Sequence, residues 1–245
     1  MRCFLRGPGN VPAVRWGSKS WYAVLVAVMV LVTVDVLLDG PLRHLDHVVH
    51  DWSDAHIQGW RLTAVDVFAA LGQRGYLARI IIPLAIIAAI RVRSLRYLWA
   101  SVLIVGVLSL LQVLLKAAIP RTFPISGTDV LFVRGDAYPS GHTLNGFVLV
   151  WIILELVVVA FPASSGALPP RRRRDIAVVT GTVTAVALTV VDKHWLTDCL
   201  FSLALGPLLL QGLLLLDPFA TRRGRERLDK GSTDRTRRAW RGPAR

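Results

Sequence analysis

Six stretches of the chain are almost wholly apolar, and short polar or basic segments separate them. The runs are about Trp21–Leu38, Tyr76–Ile90, Tyr97–Ile119, Gly146–Phe161, Ile176–Val191 (extending toward Leu196) and Cys199–Leu216. Each approaches the roughly 20 apolar residues that an α-helix needs to cross a bilayer. The second is short and carries Arg79 and Pro83, which leaves its start loosely defined. The pattern predicts an all-α, polytopic membrane protein. Six transmembrane helices (21–216) form a bundle between a basic leader (1–20) and a basic, disordered tail (217–245). The first run ends at Asp39, Gly40 and Pro41 with no A-x-A site, so a permanent helix is expected and not a cleaved signal.

Between the first two runs, Leu42, Leu45, Val49 and Trp52 recur at helical spacing, with His44, His47, Asp51 and Asp54 on the other face. This predicts an amphipathic helix at the outer interface, within Pro41–Thr63, its polar face solvated. A metal site built from His44, His47 and Asp51 is the weaker alternative.

Composition supports the membrane assignment. Of the 245 residues 53% are hydrophobic and 18% charged, and the mean hydropathy is +0.51. Disorder throughout, collagen and a disulfide scaffold are excluded, since the two cysteines, Cys3 and Cys199, lie at opposite ends of the chain. The net charge of +13 looks like a nucleic-acid footprint, but its placement does not. The leader, the Arg91–Arg96 loop, Arg171–Arg174 and the tail hold 21 of the 29 Lys and Arg residues, and the alternate loops hold 8. That bias places both termini in the cytoplasm of a cell membrane, with the loops after the first, third and fifth helices outside. The tail is expected to meet anionic headgroups, with nucleic-acid binding as the lesser reading. The excess of Arg over Lys suits a GC-rich bacterial genome.

Three polar clusters fall on the outward side. Lys116 ends an apolar helix five residues before Arg121, and two cations at this spacing can converge on one anion; snorkelling to the interface is the plainer reading. Pro139-Ser140-Gly141-His142 precedes the fourth span. Ser140 suits an N-cap, Gly141 permits close approach, and the amides of a helix start form an anion site within reach of His142. An ordinary capped helix start is the alternative. His194 and Asp198 are spaced i, i+4, so on a helix the carboxylate can hold the imidazole in one tautomer; simple interfacial polarity is the alternative. Together the clusters describe a phosphate site with a nucleophile and an acid.

These residues resemble the type 2 phosphatidic acid phosphatase superfamily of membrane lipid phosphatases. That family carries Lys-x6-Arg-Pro, Pro-Ser-Gly-His and Ser-Arg-x5-His-x3-Asp. Here the segments read KAAIPRTFP (116–124), PSGH (139–142) and ALTVVDKHWLTD (187–198). The family's arginines are replaced by Phe123 and Leu188, and its serine by Ala187; Arg121 and Lys193 are the candidate substitutes. The resemblance implies a metal-independent lipid phosphatase with no cofactor and its active site at the extracytoplasmic helix ends. His194 is the expected nucleophile, Asp198 its orienting partner and His142 the general acid. Lys116, Arg121, Ser140, Gly141 and Lys193 are expected to hold the phosphate. A polyprenyl diphosphate, phosphatidic acid or phosphatidylglycerol phosphate would fit such a site. A catalytically weak or inactive relative that binds lipid phosphates is the alternative, motivated by Phe123 and Leu188. A transporter using Glu155 and Arg79 lacks the internal repeat expected of that class. Vanadium haloperoxidase chemistry, which uses similar motifs, is disfavoured by the membrane-embedded chain and the missing arginines.

Overall fold

The computed structural model describes residues 17–219. The expectations for Cys3, for most of the leader and for the tail from residue 220 lie outside the described residues. Eight α-helices are described: α1 (Lys19–Leu37), α2 (Pro41–His56), α3 (Trp60–Ala69), α4 (Arg74–Val92), α5 (Arg96–Ala118), α6 (Gly141–Ala160), α7 (Pro170–Val190) and α8 (Leu196–Leu216). Among the described residues, β pairing is limited to one isolated antiparallel bridge between Arg121 and Leu131.

Five helices, α1, α4, α5, α6 and α8, are long and apolar enough to cross a membrane. The sixth expected span, α7, is as long as α8, but four arginines and Asp175 fill its first turns. Threonines dilute the rest of α7. Several boundaries move outward from the apolar runs. α4 starts at Arg74, α6 at Gly141 and α8 at Leu196, because capping geometry and not hydropathy decides where a helix begins.

α6 is apolar on every side, and such a helix belongs in the middle of a bundle. It is the most enclosed of the five apolar helices and packs against α4, α7 and α8. Glycines make the approach close. A Cβ on either Gly181 of α7 or Gly206 of α8 would come within 2.3 Å of the Phe147 ring. One aromatic ring on α6 is therefore seated against two neighbouring helices, as small residues permit in membrane bundles. By contrast α1 and α5 leave Leu31, Leu103 and Leu110 outward, as helices facing lipid do.

The helix expected after the first span is present, and the residues expected on its solvated face, His44, His47, Asp51 and Asp54, are exposed; of the expected apolar stripe, Leu42 and Val49 are half-buried and Leu45 and Trp52 exposed. In α2 the buried side chains are Asp46 and Ser53. Leu45, Val48 and Trp52 are exposed. A second polar stripe that the periodicity did not single out, Arg43, Asp46, His50 and Ser53, docks on the segments that carry the motifs. The reason is chemical: those segments present Arg121, Asp129 and Asp192 as partners, while of the apolar stripe only Leu42 packs on the core and Leu45 and Trp52 stay outward. Helix α2 stops at His56, and α3, which the hydropathy pattern did not signal, follows it. Asp35 at the end of α1 accepts the α2 amides of Leu42 (3.2 Å) and Arg43 (2.8 Å), anchoring that helix's start.

The two polar residues of the transporter reading have local partners. Glu155 accepts from Arg173 of α7 at 2.8 Å. Arg79 lies over the ring of Tyr76.

Candidate active site

All three motifs gather at one end of the bundle. The PSGH segment is built as the sequence predicts. Ser140 caps α6 in extended conformation, and its hydroxyl accepts from the Thr143 N–H at 3.4 Å and the Thr143 hydroxyl at 3.0 Å. Its own N–H donates to the Asp198 carbonyl at 3.2 Å. Ser202 then donates to the carbonyls of both Ser140 and Asp198, at 3.0 Å each. The second and third motifs are thus tied backbone to backbone. The Ser140 side chain is wholly buried and occupied as a cap. Gly141 lies under α5: a Cβ there would be 3.0 Å from the Gln112 amide oxygen and 3.9 Å from the Lys116 side chain.

His142 and His194 face each other. Their ring centres are 6.2 Å apart with planes inclined by 62°. His194 Nδ1 lies 3.3 Å from Asp198 Oδ2. The pair does not arise from two residues on one helical face, as the spacing suggested. His194 precedes α8, and Asp198 in its first turn folds back to accept the Trp195 N–H at 3.1 Å and to meet the imidazole. An acidic residue at this position is favoured by the helix dipole. With the carboxylate accepting from Nδ1–H, the Nε2 lone pair of His194 is left free.

Arg121 is placed differently from the expectation. Its guanidinium is fully buried and its five N–H donors are all engaged. Nε and Nη2 donate to Asp129, and Nη2 also donates to Asp46, each at 2.7 Å. Nη1 donates to Thr197 at 2.7 Å and to Asp198 at 3.0 Å. Burial works against the charge, but the hydrogen bonds to Asp129 and the charges of Asp198, Asp46 and Asp129 outweigh it, so Arg121 holds its proton more firmly than usual. Asp129 is buried too, yet Arg121 and Arg43 hold its carboxyl below the ordinary range. Asp46, with one guanidinium beside it, is pushed up by burial. Arg121 therefore braces Asp198 from behind and has no donor left for a ligand.

Lys193 is also engaged elsewhere. Its ammonium is half-exposed and bonded to Asp66 of α3 at 2.5 Å. Lys116 remains: half-buried at the end of α5, it donates to the Asp136 carbonyl beside the PSGH loop. A second cation, Arg74 at the start of α4, stands nearby and was missed by the motif reading. Lys116, Lys193 and Arg74 all act electrostatically on His142, Arg74 the least of the three. The available signal was an arginine opening an apolar helix at the positive end of its dipole, where a cation is unfavourable.

The trio His44, His47 and Asp51 forms no metal-ligand group among the described residues. A different trio does, since ligand atoms of His50, Asp54 and Asp192 all lie within 4.8 Å of one another. In it His50 Nδ1 bonds Asp192 at 2.7 Å. Burial lowers the His50 value, but Asp192, Asp54 and Asp51 raise it overall. Burial raises Asp192 despite the imidazole.

Residues 93–222, more than half of the chain, match the family model of the PAP2 superfamily. The chain belongs to that superfamily. Its fold is similar to the crystal structure of a transmembrane PAP2-type phosphatidylglycerolphosphate phosphatase from Bacillus subtilis. The TM-score is 0.66 at 20% identity, over 83% of this chain and 96% of that one. No curated protein sequence matches. Five apolar helices and this shared fold make it a multi-pass membrane protein.

Within the PAP2 frame, the two replaced arginines have distinct surroundings. Phe123 sets its ring edge-on to His194, centres 5.4 Å apart. Leu188 is buried in an apolar cluster with Ala185, Val191 and Cys199. Its carbonyl accepts the N–H groups of Lys193 (3.0 Å) and His194 (3.3 Å). The Leu188 position thus shapes the turn that presents His194 but brings it no charge.

Proposed function

We propose that this PAP2 protein is a lipid phosphatase that removes a terminal phosphate through a phosphohistidine intermediate. The carrying observation is the facing pair of imidazoles 6.2 Å apart, one of them backed by Asp198. A phosphoryl group bound alongside this edge-to-face pair is within reach of both rings. His194 Nε2 attacks phosphorus and forms the N–P bond, while the bond to the leaving oxygen breaks. His142 gives that oxygen its proton. Asp198 holds the other ring nitrogen and stabilises the cationic imidazole. A water, losing a proton to His142, then attacks phosphorus; the N–P bond breaks and inorganic phosphate leaves. Lys116 and the amides that open α6 hold the peripheral oxygens, where charge is stabilised during phosphoryl transfer.

The distribution of Lys and Arg supports a site on the extracytoplasmic side of a cell membrane, both termini cytoplasmic, with α7 as the sixth span. The substrate is then an outer-leaflet lipid bearing a terminal phosphate or diphosphate; phosphatidylglycerol phosphate, phosphatidic acid and polyprenyl diphosphate belong to that class. The test is phosphate release from these lipids by detergent-solubilised protein, with EDTA present. Release that disappears in His194→Ala, together with an acid-labile phosphoprotein in the parent, is the expected result. Release unchanged in His194→Ala refutes the mechanism. The engagement of all five Arg121 donors favours a second reading, a relative that binds lipid phosphates without turnover; it predicts binding that survives His194→Ala and no hydrolysis by the parent.

A further inference from the structure

The PAP2 motif arginines are absent, Arg121 is fully engaged and Lys193 is paired with Asp66. A phosphate between the two imidazoles still needs planar donors for its peripheral oxygens, since a lysine does not reproduce bidentate contact. We propose that Arg74 is that donor: a phosphate-binding guanidinium supplied by the start of α4 and not by any of the three motifs. The inference rests on the phosphatase reading of the site and names a further residue that grips its substrate.

The approach of α4 to the site is built into the backbone. Gly72, two residues before Arg74, lies so close to the first turn of α6 that a Cβ there would be 2.1 Å from the His142 carbonyl oxygen. Only glycine permits that contact. A chain of amides then fixes Arg74. Its Nη2 donates to the Gln112 Oε1 of α5. Gln112 Nε2 donates to Asn145 Oδ1 (3.0 Å) and to the Gly141 carbonyl (3.4 Å). Asn145 Nδ2 donates back to the Gly72 carbonyl at 3.1 Å. Gln112 and Asn145 are buried, so the circuit is a rigid mount and not a surface accident. Lys116 follows Gln112 by one helical turn, on the same face of α5.

Charge points the same way. Arg43, Arg121 and Arg173 each have a carboxylate within 2.8 Å. Among the described residues Arg74 and Lys116 have none within 4.0 Å, and Arg74 uses one of its five donors, on a neutral amide. Two half-buried cations stand near the start of α6: Arg74, at the positive end of α4, and Lys116, in the last turn of α5. The place of Arg74, at a helix N-terminus with a second cation close by, is unfavourable without a counter-charge. A tetrahedral oxyanion between His142 and His194 supplies one.

The experiment uses the full chain in detergent and a short-chain phosphatidic acid, with orthovanadate as inhibitor. Arg74→Ala is expected to lower kcat/KM by about 100-fold and to weaken vanadate inhibition similarly, with Arg74→Lys falling between. Phe123→Arg places a guanidinium at the PAP2 motif position beside His194. Added to Arg74→Ala, it is expected to restore at least about tenfold, which a structural role for Arg74 would not allow. An Arg74→Ala protein with unchanged kcat/KM and vanadate inhibition overturns the proposal. If the parent releases no phosphate, the phosphatase reading fails separately. Calorimetric vanadate binding to the parent and to Arg74→Ala then decides for Arg74: loss supports it, and equal binding overturns it.

Discussion

Two arginines at the same end of the bundle have opposite surroundings. Arg121 is buried beneath His194 and shares its donors among three carboxylates and a hydroxyl. Arg74 leans on one neutral amide and has no carboxylate beside it. The first is a finished structure, because a buried charge persists only when paired and fully bonded. The second is held in place but left electrically incomplete. Position near a motif says little about which arginine meets substrate; the inventory of donors already engaged says much more.

The largest test of this contrast is removal of Arg121. Arg121→Met leaves Asp46 and Asp198 buried without a guanidinium and Asp129 with Arg43 alone, at a cost of about 3–5 kcal/mol. The expected outcome is loss of monodisperse folded protein on size-exclusion chromatography. Arg74→Ala should leave the elution profile and melting temperature near the parent's. Equal destabilisation by both substitutions would erase the distinction. Next comes Asp198→Asn, which weakens Arg121's hold and the His194 tautomer together. Phosphate release is expected to fall by about a thousandfold, with a smaller loss of stability. A smaller effect is expected from Gly72→Ala, whose methyl meets backbone and displaces the start of α4. Overpacking costs about 1–3 kcal/mol, and misplacement of Arg74 lowers kcat/KM about tenfold or more. Wild-type kinetics in that variant would detach α4 from the site.

The mildest test concerns the His50–Asp192 pair, which ties α2 to the turn bearing His194. Both values are raised on folding, so the folded chain binds protons more tightly there. For His50 the stabilisation is full below about pH 6.5 and fades as pH climbs through the raised value; for Asp192 the corresponding loss lies lower, in the carboxylate range. Melting temperature is therefore expected to decline from pH 6 to pH 8, and His50→Gln to flatten the decline. A profile unchanged by His50→Gln would remove that link.

Much of the site was legible because its signals are local. A serine and a glycine before an apolar run specify a capped helix start, and His-x3-Asp brings two groups together over one turn. What escaped depends on distance. The partners of Arg121 lie 75 residues before it at Asp46 and 77 after it at Asp198, and Gln112 stands 38 residues beyond Arg74. Periodicity identified α2 and its solvated face but not the buried Asp46 and Ser53, whose partners lie far along the chain. Helix α3 is ten residues long with mixed polarity, too short to show a period.

Phe147 carries a mechanical consequence. One ring is clasped by glycines of two adjacent helices, little more than a turn below His142 and in the two elements that flank His194. Sliding any one of these three rods along another would drive Cα atoms into the aromatic face. The spacing of the two imidazoles is accordingly clamped from within the bundle, so stretching or thinning the surrounding lipid should tilt the whole assembly without altering the spacing that the proposed turnover requires.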